Sequence, residues 1–116
     1  MSGLPPSLDD LAALAQAALD ALPDPFRSLA AETLIRVEDF AEDQVLADLG
    51  MEDPFELTGL YSGVDLARRS VLDPAPERPV IILYRRPILD EWAERGDVTL
   101  ADLVAHVLVH EIGHHF

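Results

Sequence analysis

The end of this sequence joins an apolar helical segment to a cluster of titratable side chains, and no other feature constrains the fold as strongly. Residues 103–109 contain no strongly polar side chain except His106. A helix that is apolar on all sides normally lies in a protein core, so we expect a buried C-terminal helix. Residues 110–114 then place two histidines and a glutamate at its end, in the pattern His-Glu-x-x-His.

The spacing of this pattern suits a metal ion. Positions i and i+4 of a helix share a face, so His110 and His114 could hold one divalent ion between them. Glu111 lies about 80° round the helix from that face and could reach a metal-associated water without binding the metal. The pattern predicts His110 and His114 as metal ligands, Glu111 as catalytic base and Zn²⁺ as cofactor. The alternative is a surface helix end whose histidines bind no metal.

Two further histidines flank the pattern. His106 precedes His110 by about one turn, but residues 106 and 114 are about 12 Å apart along a straight helix, too far for three histidines to share one ion comfortably. We therefore interpret His106 as a buried residue or one that supports a ligand. His115 is rotated off the ligand face, which favours packing or hydrogen bonding over metal binding.

The local sequence does not supply a third ligand, although catalytic zinc sites usually have three from the protein. A distant Asp or Glu, a water or the Phe116 carboxylate could complete the site. A further segment, absent from this polypeptide, could also supply it. The helix end has no C-cap, so packing and metal together would have to hold its last turn.

Length, charge and composition exclude several classes of function. The 116 residues are enough for a single domain, residues 1–116, with its own core. The net charge of −14 argues against nucleic-acid partners and anionic membrane surfaces, although a cationic peptide could be attracted. The chain has no cysteine, its apolar runs fall short of the ~20 residues of a membrane span, and no basic region opens a signal peptide. A cytoplasmic location is expected.

Apolar periodicity and capping residues predict a mixed α+β fold. Ser7 and Asp10 resemble a helix start, and residues 80–85 form the clearest strand, with the continuous apolar character of a central or well-covered position. If one edge of that strand were open beside the motif helix, a peptide could add to it. The predicted elements are helices at 8–22, 26–31, 42–49, 87–95 and after Thr99, strands at 33–40 and 80–85, a strand or turn at 59–64, a cap at 53–55 and a loop at 73–79.

The two tyrosines of the chain are candidates for a supporting chemical role. The hydroxyl of Tyr61 or Tyr84 could donate a hydrogen bond to the oxyanion of a tetrahedral intermediate. Most tyrosines contribute only packing, which is the simpler interpretation. Trp92 is expected to lie in the core.

Several stretches resemble the small bacterial zincin-like metallopeptidases, also called minimal zincins. They are residues 35–40 (Ile-Arg-Val-Glu-Asp-Phe), 59–63 (Gly-Leu-Tyr-Ser-Gly), 82–87 (Ile-Leu-Tyr-Arg-Arg-Pro) and 107–116, which include the His-Glu-x-x-His pattern. The resemblance implies a compact zincin-type α+β domain with N-terminal helices, a small sheet and a C-terminal helix carrying the motif. It also implies zinc bound by His110 and His114, with Glu111 as general base. In the family pattern a glycine and an acidic third ligand follow the position of Phe116, and this sequence has neither.

Two hypotheses follow from the sequence. The first is a zinc-dependent metallopeptidase that hydrolyses peptide bonds of a peptide or protein substrate through a metal-activated water. The second is a catalytically inactive zincin-like module that binds other proteins and retains a structural or vestigial metal site. A metal-storage or metal-sensing role has less support because the chain lacks a ligand-rich cluster.

Overall fold

The computed structural model describes residues 5–24, 26–30, 33–62 and 79–115. In these ranges the chain forms five α-helices and three strands, which confirms the predicted α+β class. The elements are α1 (Leu8–Asp20), α2 (Phe26–Ala30), β1 (Leu34–Glu38), α3 (Asp43–Asp48), a 3₁₀ turn (Pro54–Glu56), β2 (Gly59–Ser62), β3 (Val80–Tyr84), α4 (Arg85–Arg95) and α5 (Leu100–His115). No helix of the described residues is long and apolar enough to cross a membrane.

Local chemistry explains where the helices begin and end. The Ser7 hydroxyl accepts from the Asp10 backbone N–H, and the Asp10 carboxylate accepts from the Ser7 backbone N–H, so both halves of the predicted capping box form. Gly50 and Gly96 follow α3 and α4 with φ of +72°, a left-handed conformation that glycine adopts without a Cβ penalty. Helix α4 begins at Arg85, two residues before the predicted start at Pro87.

The sheet has the strand order β1-β3-β2, with β1 parallel and β2 antiparallel to β3. Residues 59–62 therefore form a strand, which resolves the choice between strand and turn. The central position of β3 confirms the interpretation of its apolar sequence. The suggestion that a peptide could add to an open edge of β3 is wrong, because both edges of β3 are paired within the sheet. The predicted loop at 73–79 lies outside the described residues apart from Pro79.

Side chains on the two faces of the sheet enter different clusters. Ile81 and Leu83 point to the main core, where α1 and α5 cover the sheet and where Trp92 is partly buried. Tyr84 and its neighbour Ile82 belong to a smaller cluster on the other face, with Ala41, Leu46 and Leu57. Because successive residues of a strand point to opposite faces, β3 serves both clusters. Trp92, which is predicted to lie in the core, packs against the edge of the main cluster, and its indole N–H donates to the Val98 carbonyl at 2.9 Å.

The burial of Tyr84 makes the stability of the fold sensitive to alkaline pH. Desolvation raises the pKa of the Tyr84 hydroxyl to about 12, with Glu38 and Glu42 adding to the effect, whereas an unfolded tyrosine has a pKa of about 10. Between these values the unfolded chain releases the proton more readily, so the free energy of unfolding should fall as pH rises from about 10 toward about 12. The sequence contains neither lysine nor cysteine, so their titration does not obscure the effect.

Urea denaturation at a series of pH values above 9 measures this effect. Tyr84→Phe should flatten the alkaline decline more than Tyr61→Phe does, although burial also raises the pKa of Tyr61. An equally steep decline in wild type and Tyr84→Phe would contradict the assignment.

Candidate metal centre

Helix α5 carries the His-Glu-x-x-His pattern and is anchored at its start and along one side. The Thr99 hydroxyl accepts from the Asp102 backbone N–H at 3.0 Å, which caps the start of the helix. One side of the helix is buried against the main core, where α5 packs on α1, β2 and β3. The side chains of that buried side are Leu100, Leu103, Val104, Val107, Leu108 and Ile112.

The other side of α5 is open to solvent in the structure. His106 and His110 are exposed, and Val109 between them is 49% exposed. The interpretation of His106 as buried is therefore wrong, and His110 does not lie in the buried surroundings expected of a helix that is apolar on all sides. The sequence pattern is apolar all round, yet the elements packed on α5 cover only one side of it.

Glu111 lies at the boundary between the buried and exposed sides, half-buried where α5 crosses β2. The contact depends on Gly59, because a Cβ built at this position would lie 2.9 Å from Val107 Cγ1 and 3.3 Å from Glu111 Cγ. It would also lie 3.5 Å from Leu83 Cδ2. Glycine thus lets the helix and the strand approach closely, and the strand backbone supports the stem of Glu111.

Sequence reasoning missed Gly59 as a site residue. The sequence places it in a possible strand or turn and in one of the stretches that resemble the family, and a glycine inside a strand often marks the close approach of another element. A single sequence does not show which element approaches, since that requires the packing of residues 59 and 107–111, far apart in the chain.

Strand β2 forms an edge of the described sheet at the same place. The Tyr84 backbone N–H donates to the Thr58 carbonyl at 2.9 Å. In an antiparallel pair, backbone groups of alternate residues point toward the partner. The N–H and C=O of Gly59 therefore point away from β3, on the side where an extended peptide could pair.

The second predicted ligand lies on the same helix. Helix α5 continues without interruption through His110 and His114, and residues four apart on a continuous helix share a face. The side chains of His114 and His115 and all of Phe116 lie outside the described part of the molecule. Among the residues that the structure describes, no group of three His, Asp or Glu side chains comes together as a metal site. The assignment of His110 and His114 as ligands stays a prediction, as does the role of His115.

The two tyrosines have different relations to this centre. Tyr84 packs in the smaller cluster, on the face of the sheet opposite α5, so its hydroxyl does not face Glu111. Tyr61 is partly buried against the main core, on the same face as α5. Of the two candidates for oxyanion stabilisation, only Tyr61 remains.

Comparison with protein families assigns this chain to a family on the basis of its sequence. The chain belongs to the zincin-like metallopeptidase family, whose model matches residues 30–116, most of the sequence and all of the sheet and motif helix. This confirms the resemblance noted in the sequence. A search of curated proteins finds no significant match.

The close contact at Gly59 predicts unequal effects of two glycine-to-alanine substitutions. Gly59→Ala would push the new methyl group into Val107 and Glu111 and should lower the free energy of unfolding by about 1–3 kcal/mol. Gly113→Ala adds the same methyl group to α5 where nothing lies within 4 Å. Because alanine favours a helix over glycine by about 1 kcal/mol, this variant should not lower the free energy of unfolding. Chemical denaturation of the two variants makes the comparison. Equal destabilisation by both would contradict the close contact.

Proposed function

We propose that this protein is a zinc-dependent peptidase in which His110 and His114 bind the metal and Glu111 is the general base. The observation that carries the proposal is the position of the motif. In a chain of the zincin-like metallopeptidase family, the His-Glu-x-x-His residues occupy one continuous helix beside an edge strand.

The donor set fits zinc. Imidazole nitrogens are common zinc ligands, and His110 presents its ring on the exposed side of α5. Two residues four apart on one helix are the spacing that a zincin motif requires. Zinc, when bound, would supply a Lewis acid that acidifies a water and polarises the carbonyl of the scissile bond.

Glu111 would act as the general base and then as the general acid. Its carboxylate would take a proton from the attacking water and deliver it to the amine of the departing peptide, so the same side chain would act first as base and then as acid. The position of the stem supports this role, because the absence of a side chain at Gly59 lets the Glu111 Cγ lie close to the backbone of β2. A base held in place loses less entropy when the reacting groups are brought into line.

The edge of β2 offers a way to hold the substrate. A peptide paired with the backbone of Gly59 would extend the sheet and lie across the end of α5 near Glu111. Backbone pairing recognises an extended chain irrespective of its side chains. The charge of −14 would also favour the approach of cationic peptides.

Metal content tests the ligand assignment. Protein purified without chelator should carry about one zinc ion per chain, as a catalytic site does, and His110→Ala should lose most of it. His115→Ala is the matched control, because His115 is rotated off the ligand face and its loss should leave the metal in place. Elemental mass spectrometry of the three proteins gives the answer, and equal zinc content in all three would contradict the assignment.

Hydrolysis tests the role of Glu111. Glu111→Gln should retain zinc but lose peptidase activity by at least about 100-fold, which is the usual contribution of general acid–base catalysis. Glu52→Gln, an exposed change between α3 and the 3₁₀ turn, should leave activity unchanged. The assay measures cleavage of an unbiased peptide library by mass spectrometry. Undiminished turnover in Glu111→Gln would contradict the mechanism, and bound zinc with no cleavage by wild type would favour the non-catalytic binding module.

A further inference from the structure

We propose that the Leu60 side chain makes the edge of β2 selective for peptides with an apolar residue opposite it. The inference rests on the peptide-binding edge of the proposed function and adds a substrate class to it. That class is extended peptides with an apolar side chain at one fixed position beside the metal centre. Backbone pairing by itself accepts any side chains, so the selection has to come from the side chains of the strand.

The first argument is the direction of the Leu60 side chain. Gly59 lies on the face of the sheet that α5 crosses, because a Cβ built there would meet Val107 and Glu111. Successive residues of a strand point to opposite faces. Leu60 therefore points to the other face, where it packs against the smaller cluster.

The second argument is the register of the strands. Leu60 lies opposite Ile82 in the antiparallel pairing of β2 with β3, and the Thr58 carbonyl accepts from the Tyr84 N–H. The backbone groups of Leu60 therefore point to β3, whereas those of Gly59 point to the open edge. A peptide that pairs antiparallel with Gly59 then places its neighbouring residue opposite Leu60. In such a non-hydrogen-bonded pair the Cα atoms are about 4.5 Å apart and the side chains are close.

The third argument is the apolar row that ends at Leu60. Ile82 and Leu60 are neighbours across the sheet, and both are partly buried against the smaller cluster. A peptide strand would lie about 4.8 Å beyond β2 and would extend this row by one side chain. An apolar side chain there would cover surface of Leu60 that is still exposed, which favours binding. A polar side chain would be desolvated against Leu60 without gaining a partner from it.

The preference is confined to one residue of the peptide. The peptide residue opposite Gly59 points to the face of α5 and Glu111, because side chains alternate along the peptide as well. Gly59 has no side chain with which to select it. The apolar residue is therefore expected next to the residue that lies at Gly59.

Peptide binding tests the inference without requiring turnover. The protein is the full chain with Glu111→Gln, supplied with zinc, so that bound peptide is not consumed. The probes are end-blocked host peptides of serine and threonine with one central leucine, glutamine or lysine. Nuclear magnetic resonance titration gives the affinity of each peptide, and the shift of the Gly59 amide shows whether the peptide lies at β2.

Two substitutions at Leu60 and one matched control are compared in this background. Leu60→Thr keeps a good strand residue but shortens the apolar side chain, and Leu60→Glu introduces a charge. The control is Leu34→Glu, because Leu34 is 42% exposed and lies opposite Val80 on β1, the other edge of the described sheet. Since Val80 and Ile82 point to one face, Leu34 and Leu60 share that face. Circular dichroism checks that each variant is folded.

The expected result is that the leucine peptide binds at least about tenfold more tightly than the glutamine peptide, as burial of a leucine side chain provides. Leu60→Thr should reduce this ratio to about threefold or less, since less apolar surface is covered. Leu60→Glu should reverse the order so that the lysine peptide binds best, because opposite charges attract across a strand pair. Leu34→Glu should leave the preference for leucine unchanged.

Three outcomes would overturn the inference. They are equal affinity for the leucine and glutamine peptides, a preference that persists in both Leu60 variants, and the absence of peptide binding at Gly59. The result is separable from that of the peptidase proposal. Selective binding at β2 by a protein whose wild type cleaves no peptide would support this inference and contradict the peptidase proposal. Cleavage without any preference that depends on Leu60 would do the reverse.

Discussion

The close approach of α5 to β2 at Gly59 is the contact on which the candidate site depends. A strand and a helix can come this near only where one of them lacks a side chain, and here Gly59 leaves the space that Val107 and the stem of Glu111 occupy. The contact sets the rotation of α5 about its own axis. That rotation buries Val107 and Ile112, leaves Glu111 at the boundary and turns His106 and His110 to solvent. The glycine thus places the proposed base beside β2, at the edge of the described sheet.

The central strand provides the rigid support for this arrangement. Strand β3 is paired on both edges, and its side chains enter both apolar clusters, with Leu83 under α5 and Tyr84 on the opposite face. The following residue, Arg85, donates to the Pro6 carbonyl and pairs with Asp39 at 3.0 Å, which ties the segment before α1 to the end of β1. A motif on a helix packed against such a sheet is held more precisely than one on a loop.

The exposed side of α5 is as important for the proposed function as the buried side. Core helices usually bury their apolar residues, yet Val109 and two histidines of this helix face solvent. The proposed peptidase site would need access for a metal ion and a peptide, and the burial of the opposite side of α5 fixes the helix without covering this side.

The sequence by itself determined the local features of the fold, and it predicts the chemistry of the motif. Capping residues such as Ser7 and Thr99, the apolar run of β3 and the glycines that end α3 and α4 act within a few residues, so their structural consequences can be predicted from sequence. The spacing of His110, Glu111 and His114 likewise predicts a shared helix and a type of chemistry. Tertiary structure alone decided which strand lies at the edge, which side of α5 is covered, which tyrosine shares a face with the motif and why residue 59 is glycine. Those outcomes depend on contacts between residues distant in the chain, and the apolar pattern of α5 is the same whichever side the sheet covers.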